Sequence, residues 1–161
     1  MSRVGAYRSF GPGHEDIKEM TGIDVTAKEI ERISYQSGID AEEFRKIEVD
    51  LVVSGKVVPI ELAPKMYVCM DGTGVPVVKA ETAGSQGKGE GGQAKTRKAN
   101  LGCIFTQTRL DEKGRPVRDG GSTSYVGRIE TADEFGPRVY AESMRRGLHN
   151  AAKVCVIGDG A

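Results

Sequence analysis

Two short apolar runs, each leading into an aspartate beside a glycine, constrain the fold of this chain more than any other feature. The first run is Met66–Met70, followed by Asp71-Gly72, and the second is Lys153–Ile157, followed by Gly158-Asp159-Gly160. A short unbroken apolar run bounded by turn residues is typical of a strand that is covered on both faces. The runs therefore predict an α/β fold.

The segment between the runs contains a predicted helix that ends near Asn150. Thr131-Ala-Asp-Glu134 has the pattern of a capping box, and apolar residues follow it at helical spacing. If the helix starts at Ala132, Pro137 removes a backbone hydrogen bond at a cost of roughly 3 kcal/mol. If Gly136 caps the helix instead, Pro137 occupies the favoured first position. Both alternatives leave a helix of about four turns.

A helix of this length can return the chain so that strand 153–157 pairs in parallel with strand 66–70. Asp71 and Asp159 would then lie at the ends of neighbouring strands, which are about 4.8 Å apart. Two such carboxylates could share one divalent cation or flank two ions, which would polarise a phosphodiester and activate water or a 3′-hydroxyl. The alternative is that Asp-Gly after a strand is ordinary turn chemistry, and both interpretations stay open here.

Residues 1–64 are predicted to form a small helical region. Thr26 and Glu29 form a second capping-box pattern, Gly38 is expected to end that helix, and Asp40 is expected to begin another. The outline fits a helix-turn-helix and equally any helical hairpin. Between Gly13 and Asp50 there are 11 acidic and 5 basic residues, a balance that argues against a helix that reads a DNA groove.

A glycine-rich, basic segment lies between the predicted strands. Five glycines occur between Ala83 and Gly92, and the basic residues that could meet DNA phosphates are Lys88, Lys95, Arg97 and Lys98. The segment formally matches GxGxxG, but no tight strand-loop-helix unit surrounds it, so dinucleotide binding is not expected.

Composition excludes several classes of protein. The 161 residues carry no formal net charge, and no stretch approaches the roughly 20 apolar residues of a membrane helix. The amino terminus has no signal-peptide core, so a cytoplasmic location is expected. Three cysteines without a CxxC pair predict buried hydrophobic side chains in a reducing compartment.

Several of these motifs together resemble the ISKra-type insertion-sequence transposases. The matching segments are Met66–Thr82, Gly87–Glu90, Ala94–Arg97, Leu101–Gln107, Tyr125–Gly127, Ile129–Phe135 and Val156–Ala161.

The resemblance implies an incomplete ribonuclease-H-like core of the DDE type over residues 65–161, with a mixed sheet and a crossover helix. By motif match Asp71 corresponds to the first acidic residue and Asp159 to the second. In the family, two aspartates and a later acidic residue hold two Mg²⁺ or Mn²⁺ ions for DNA strand cleavage and joining. The implied partners are transposon-end DNA and a second copy or a full-length transposase.

The third acidic residue of the family lies further downstream, so the sequence is expected to be the amino-terminal part of a transposase that is inactive alone and holds metal weakly. Pro137 is a further departure from the family pattern.

Two other functions are weighed against this one. A non-catalytic, DNA-binding or dimerising remnant would use the same basic segment without the chemistry. A haloacid-dehalogenase-like phosphatase would explain Asp71-Gly72-Thr73 and the late Gly-Asp-Gly, but its nucleophile position holds Cys69 instead of aspartate.

Overall fold

A computed structural model describes residues 1–56, 65–84, 86–87, 94–118 and 120–158. The chain divides into two compact units, Met1–Glu48 and Val49–Ala161.

The first unit is helical. Its elements are α1 (Ser2–Tyr7), α2 (Phe10–Thr21) and most of α3 (Ala27–Val53). Gly22 ends α2 in the left-handed conformation, with φ of 71°, and its N–H donates to the Lys18 carbonyl. The Thr26 hydroxyl accepts from the Glu29 N–H at 3.1 Å, which caps the start of α3.

The expectation that Gly38 ends a helix is wrong. α3 continues through Gly38 and spans 27 residues without interruption. A glycine inside a helix costs only about 1 kcal/mol relative to alanine, and no proline follows to stop the helix. The Gln36 side chain also donates to the Asp40 carboxylate at 2.9 Å, a bond that spans the glycine along the helix.

The second unit is a five-stranded sheet with one principal helix. The elements are β1 (Lys65–Pro76), β2 (Thr96–Leu110), β3 (Pro116–Arg118), β4 (Ser124–Arg128), α4 (Ala132–Arg145) and β5 (Lys153–Ile157). Short 3₁₀ turns cover Lys79–Thr82 and Leu148–Asn150. The strand order is β3-β2-β1-β5, and β4 also pairs with β2.

The predicted parallel pairing is confirmed. β5 pairs in parallel with β1, and the register runs from Lys65 opposite Lys153 to Cys69 opposite Ile157. β1 pairs antiparallel with β2, so the sheet is mixed and the fold is α/β. In the chain, α4 lies between β4 and β5. It returns the chain to the edge at which β5 pairs in parallel with β1, since a tight turn cannot lead into a parallel pairing.

α4 covers one face of the sheet. Its residues Phe135 and Val139 form the core with Met66, Val68 and Ile104, and each of these side chains is at most 6% exposed. The helix begins at Ala132 after the predicted capping box, so Pro137 lies inside it. α4 ends at Arg145, before the predicted end at Asn150, and Gly147 follows with φ of 90°.

β1 is longer than the sequence predicts. The turn-rich sequence Asp71-Gly-Thr-Gly74 predicts a break between two strands, but β1 runs through it without interruption. Residues Lys65 to Pro76 each have a register partner on β2, from Gln107 to Thr96. Pairing with a 15-residue strand therefore overrides the local turn preference. The interpretation of Asp71 as a turn residue is wrong.

Within the described part of the chain, no helix combines the length and the apolar character required to cross a membrane.

Candidate active site at the end of the parallel strand pair

Asp71 lies on the sheet face opposite α4, which we call the open face. Because strand residues alternate between faces, Met66 and Val68 point towards α4, while Tyr67, Cys69 and Asp71 point the other way. Asp71 pairs with Leu101 of β2, and its side chain is exposed. One carboxylate oxygen, Oδ1, accepts from the Gly72 N–H at 2.7 Å. The carboxylate is therefore held on a regular strand and accessible to solvent.

A shallow pocket of about 400 Å³ surrounds this carboxylate. Its lining comes from three adjacent strands: Cys69, Met70 and Asp71 of β1, Leu101 and Cys103 of β2, and Ile157 at the end of β5 with Gly158 after it. The pocket thus lies at the carboxyl end of β5, beside the middle of β1, which continues to Pro76. In α/β sheets the carboxyl ends of parallel strands are the usual place for a ligand site.

Asp159, the second predicted acidic residue, lies outside the described residues. The described register stops two residues short of it, at Ile157 opposite Cys69. In the sequence Asp71 follows Cys69 by two positions, and Asp159 follows Ile157 by two positions.

A carboxylate oxygen is a hard donor of the kind that Mg²⁺ and Mn²⁺ prefer, and Asp71 supplies one at the pocket. Among residues 1–158 as far as they are described, no three His, Cys, Asp or Glu side chains converge on a point that could hold a metal ion.

The three cysteines share the open face. Cys69 is the register partner of Cys103, and Cys155 lies on β5 opposite Tyr67. Burial raises the pKa of the Cys69 thiol, and the nearby Cys103 and Cys155 raise it further. Cys69 is therefore a neutral thiol near pH 7 and a poor nucleophile. The prediction that all three cysteines are buried is wrong: Cys69 and Cys103 are half-buried, and Cys155 is exposed because β5 lies at the edge of the sheet.

The four predicted DNA-contacting residues do not form one surface among the described residues. Lys88 is outside them, and Lys95 is exposed just before β2. Arg97 and Lys98 are consecutive in β2 and so point to opposite faces. The Arg97 guanidinium lies 3.7 Å from the Glu81 carboxylate, and the Lys98 side chain lies across Gly72, where a Cβ atom would collide with it.

Sequence reasoning missed an aromatic ladder on the open face. The rings of Tyr67 and Phe105 are stacked with centroids 5.0 Å apart, and the Arg118 guanidinium lies 4.5 Å from the centroid of Phe105. The three residues come from β1, β2 and β3, so only the strand register brings them together. The sequence contains no local signal for this contact.

The chain matches no protein-family model, and no curated protein shows significant similarity to it.

Proposed function

We propose that residues 65–161 contribute the first two carboxylates of a ribonuclease-H-like DDE transposase core, with Asp71 and Asp159 as metal ligands. The observation that carries the proposal is the parallel pairing of β1 with β5, which brings Cys69 and Ile157, each two residues before one of the aspartates, into register. The resemblance to the ISKra-type transposases supports the same assignment, residue by residue.

The sheet topology supports the proposal independently of the resemblance. Such a core needs a mixed sheet in which the first strand is central and a helical crossover adds a parallel neighbour. β1 has an antiparallel neighbour on one side and a parallel neighbour on the other, and α4 lies in the crossover. The haloacid-dehalogenase alternative gains no support, because the residue at its nucleophile position is a neutral thiol.

In this proposal Asp71 of β1 and Asp159 would hold Mg²⁺ or Mn²⁺. The bound ions supply Lewis-acid polarisation of a phosphodiester and activation of water or a 3′-hydroxyl. Asp71 is suited to this task because it combines a fixed backbone position with an exposed carboxylate.

In the family a third acidic residue follows the second aspartate and completes the metal site. We therefore propose that Asp71 and Asp159 by themselves bind metal weakly, and that DNA cleavage requires a third acidic residue as well.

The test compares this polypeptide with one extended by the codons that follow residue 161. We expect the extended chain to nick a duplex carrying the inverted repeats that flank its reading frame, in the presence of Mg²⁺ or Mn²⁺. The variants Asp71→Asn and Asp159→Asn should each lose the nicking, while Asp133→Asn, an exposed acidic residue on α4, should retain it. Nicking that survives Asp71→Asn would refute the assignment, and so would full activity of the unextended chain.

A direct measurement of metal binding tests the metal site independently of the nicking activity. Titration of the 161-residue chain with Mn²⁺ should show weak binding that Asp71→Asn abolishes and Asp133→Asn leaves unchanged. Binding equal in all three proteins would contradict the role of Asp71.

A further inference from the structure

Two of the three cysteines face each other across neighbouring strands in the pocket beside Asp71. Cys69 of β1 is the register partner of Cys103 of β2, so both side chains lie on the open face. Both are half-buried, and both line the pocket of about 400 Å³ together with Asp71. The pocket therefore contains two adjacent thiols that a small reagent can reach.

The strand register sets the distance between the two backbones. The Thr106 N–H donates to the Ser122 hydroxyl at 2.9 Å, so the backbone of β2 at Thr106 points away from β1. Because backbone groups alternate in direction along a strand, Cys103 points towards β1 and forms a hydrogen-bonded pair with Cys69. The Cα atoms of such a pair are about 5.5 Å apart, and disulfides span roughly 4.4–6.8 Å. A disulfide can therefore join these two residues without a change of register.

The same register makes such a disulfide strained. In a hydrogen-bonded pair the Cβ atoms lie towards 5.5 Å apart, whereas a relaxed disulfide has them about 3.8 Å apart. The bond would have to draw β1 and β2 together locally, and a disulfide distorted in this way is more easily reduced. The pair is therefore suited to reversible oxidation and not to a permanent cross-link.

The position of Cys155 excludes it from this bond. Cys155 is in register with Tyr67, two residues before Cys69 on β1. With strands about 4.8 Å apart and a rise of about 3.3 Å per residue, the Cα atoms of Cys155 and Cys69 are about 8 Å apart. Residues whose Cα atoms are more than about 7 Å apart cannot be bridged without backbone movement. The sheet therefore selects Cys69 with Cys103.

We propose that Cys69 and Cys103 are a redox-modification site, at which a hydroperoxide converts two thiols into an intramolecular disulfide that low-molecular-weight thiols reduce again. The proposal does not depend on a metal-binding role of Asp71. It is compatible with that role, because a transposase core must keep Asp71 accessible to DNA, and the two thiols line the same pocket.

Hydrogen peroxide alone balances the reaction. The Cys103 sulfur attacks one peroxide oxygen, the O–O bond breaks, one water leaves and Cys103 becomes a sulfenic acid. The Cys69 sulfur then attacks the Cys103 sulfur, the S–S bond forms, and the S–O bond breaks to release a second water. The thiols lose two electrons and two protons, and the peroxide takes up both. Cys69 is assigned to the second step because burial raises the pKa of its thiol.

The first test counts thiols in the full 161-residue chain before and after an equimolar amount of hydrogen peroxide. N-ethylmaleimide under denaturing conditions should label all three cysteines before oxidation and Cys155 alone afterwards. Peptide mapping should find the peptides of Cys69 and Cys103 linked within one chain, and reduced glutathione should restore three labels. Unchanged labelling, a bond between two chains, or a bond that resists excess glutathione would overturn the proposal.

Two variants with equal numbers of thiols form the matched comparison. Cys155→Ser retains the pair and should form the disulfide as wild type does, whereas Cys69→Ser retains Cys103 and Cys155 and should form none. The opposite result in either variant would contradict the pairing. In Cys69→Ser, dimedone should instead trap the sulfenic acid at Cys103. Trapping at Cys69 in Cys103→Ser, without trapping at Cys103 in Cys69→Ser, would contradict the order of the two steps.

A further variant keeps this proposal separate from the metal site. Asp71→Asn, which should abolish Mn²⁺ binding, should leave disulfide formation unchanged, so that the thiol pair and the metal site can fail independently. Far-UV circular dichroism of every variant verifies that the fold is retained. Loss of the disulfide in a folded Asp71→Asn chain would contradict a site made by the two cysteines.

Discussion

The Glu134 carboxylate determines how α4 starts. It accepts from the Thr131 N–H at 3.0 Å and from the Thr131 hydroxyl at 2.7 Å, while the Glu134 N–H donates back to that hydroxyl at 3.3 Å. The hydrogen bond from the Thr131 side chain, followed by that from its backbone, lowers the pKa of Glu134 below its ordinary value of 4.5. The ionised form is therefore the form that stabilises the helix start.

This lowered pKa predicts how the stability of the fold changes with pH. The stabilisation is fully present above pH 4.5 and is lost as the pH falls below 4.5 through the lower pKa of the folded state. Glu134→Gln should therefore lose less stability than wild type over that acidic window. Urea unfolding at pH 7 and at several values below 4.5 checks this. Equal pH dependence in the two proteins would contradict a role for the carboxylate.

The close packing of α4 explains why position 102 is a glycine, and the sequence alone does not reveal this reason. A Cβ atom there would lie 3.1 Å from Val139 Cγ2 and 3.7 Å from the Phe135 ring. Gly102 therefore lets α4 approach β2 closely, since no side chain separates the helix from the strand.

Among the elements, α4 contains an unfavourable residue. Pro137 has no N–H to donate to the Asp133 carbonyl, and it is exposed, so its ring contributes little packing. Pro137→Ala should stabilise the fold by about 2 kcal/mol, from roughly 3 kcal/mol regained in the helix less about 1 kcal/mol of unfolded-state entropy. Urea unfolding followed by circular dichroism measures the change.

Gly136→Ala is the matched control for this prediction. It lies next to Pro137 in the same exposed part of α4, and it should add less than about 1 kcal/mol, because a Cβ atom on the residue before a proline disfavours the helical conformation. A loss of stability in Pro137→Ala would show that the proline fixes the geometry of the helix start.

The elements that the sequence predicted well are those with local signals. The capping box at Thr131 and the apolar run Lys153–Ile157 each depend on neighbouring residues, and α4 begins directly after the capping box while β5 coincides with the apolar run. The continuity of β1 through Asp71-Gly72 depends on β2, which is distant in the sequence, and the local turn signal was misleading. The prediction that Gly38 ends a helix was wrong for a related reason, because the modest free-energy cost of one glycine does not break a long helix.

At the candidate site, too, the local features followed from the sequence and the long-range contacts did not. The position of Asp71 at the end of the apolar run followed from the sequence, as did the parallel neighbour that approaches it. The contact of Phe105 with Tyr67 and Arg118 did not follow, since it requires the pairing register of three strands.

For the whole molecule, zero net charge conceals an uneven distribution. From Leu51 onward there are 16 basic and 12 acidic residues, against the acidic excess of the preceding helices. Exposed ion pairs such as Arg97 with Glu81 are weak, so phosphates can compete for these cations. The proposed DNA binding should therefore depend on the basic residues around the start of β2.

Replacement of Lys95, Arg97 and Lys98 by Gln should weaken binding to a labelled duplex. It should also make binding less sensitive to salt. The slope of the logarithm of the binding constant against the logarithm of the salt concentration should fall in magnitude by about 0.9 for each phosphate that the variant no longer neutralises. Fluorescence anisotropy at several salt concentrations measures both quantities. Lys28, Lys46 and Lys56, changed together to Gln, remove the same charge from the helical region and should have a smaller effect. Equal effects of the two triple variants would mean that only total charge matters.

The parallel partner of β1 is distant in the sequence. Lys153 follows its register partner Lys65 by 88 positions (153 minus 65). At about 5–20 residues per second, the ribosome needs roughly 4–18 s to synthesise that interval. During this time β2, which follows sooner, can complete its ladder with β1. Nascent chains therefore pass through a stage in which Met66 and Val68 have a β2 neighbour but no β5 neighbour, and a chaperone that binds apolar strands would find its target in that stage.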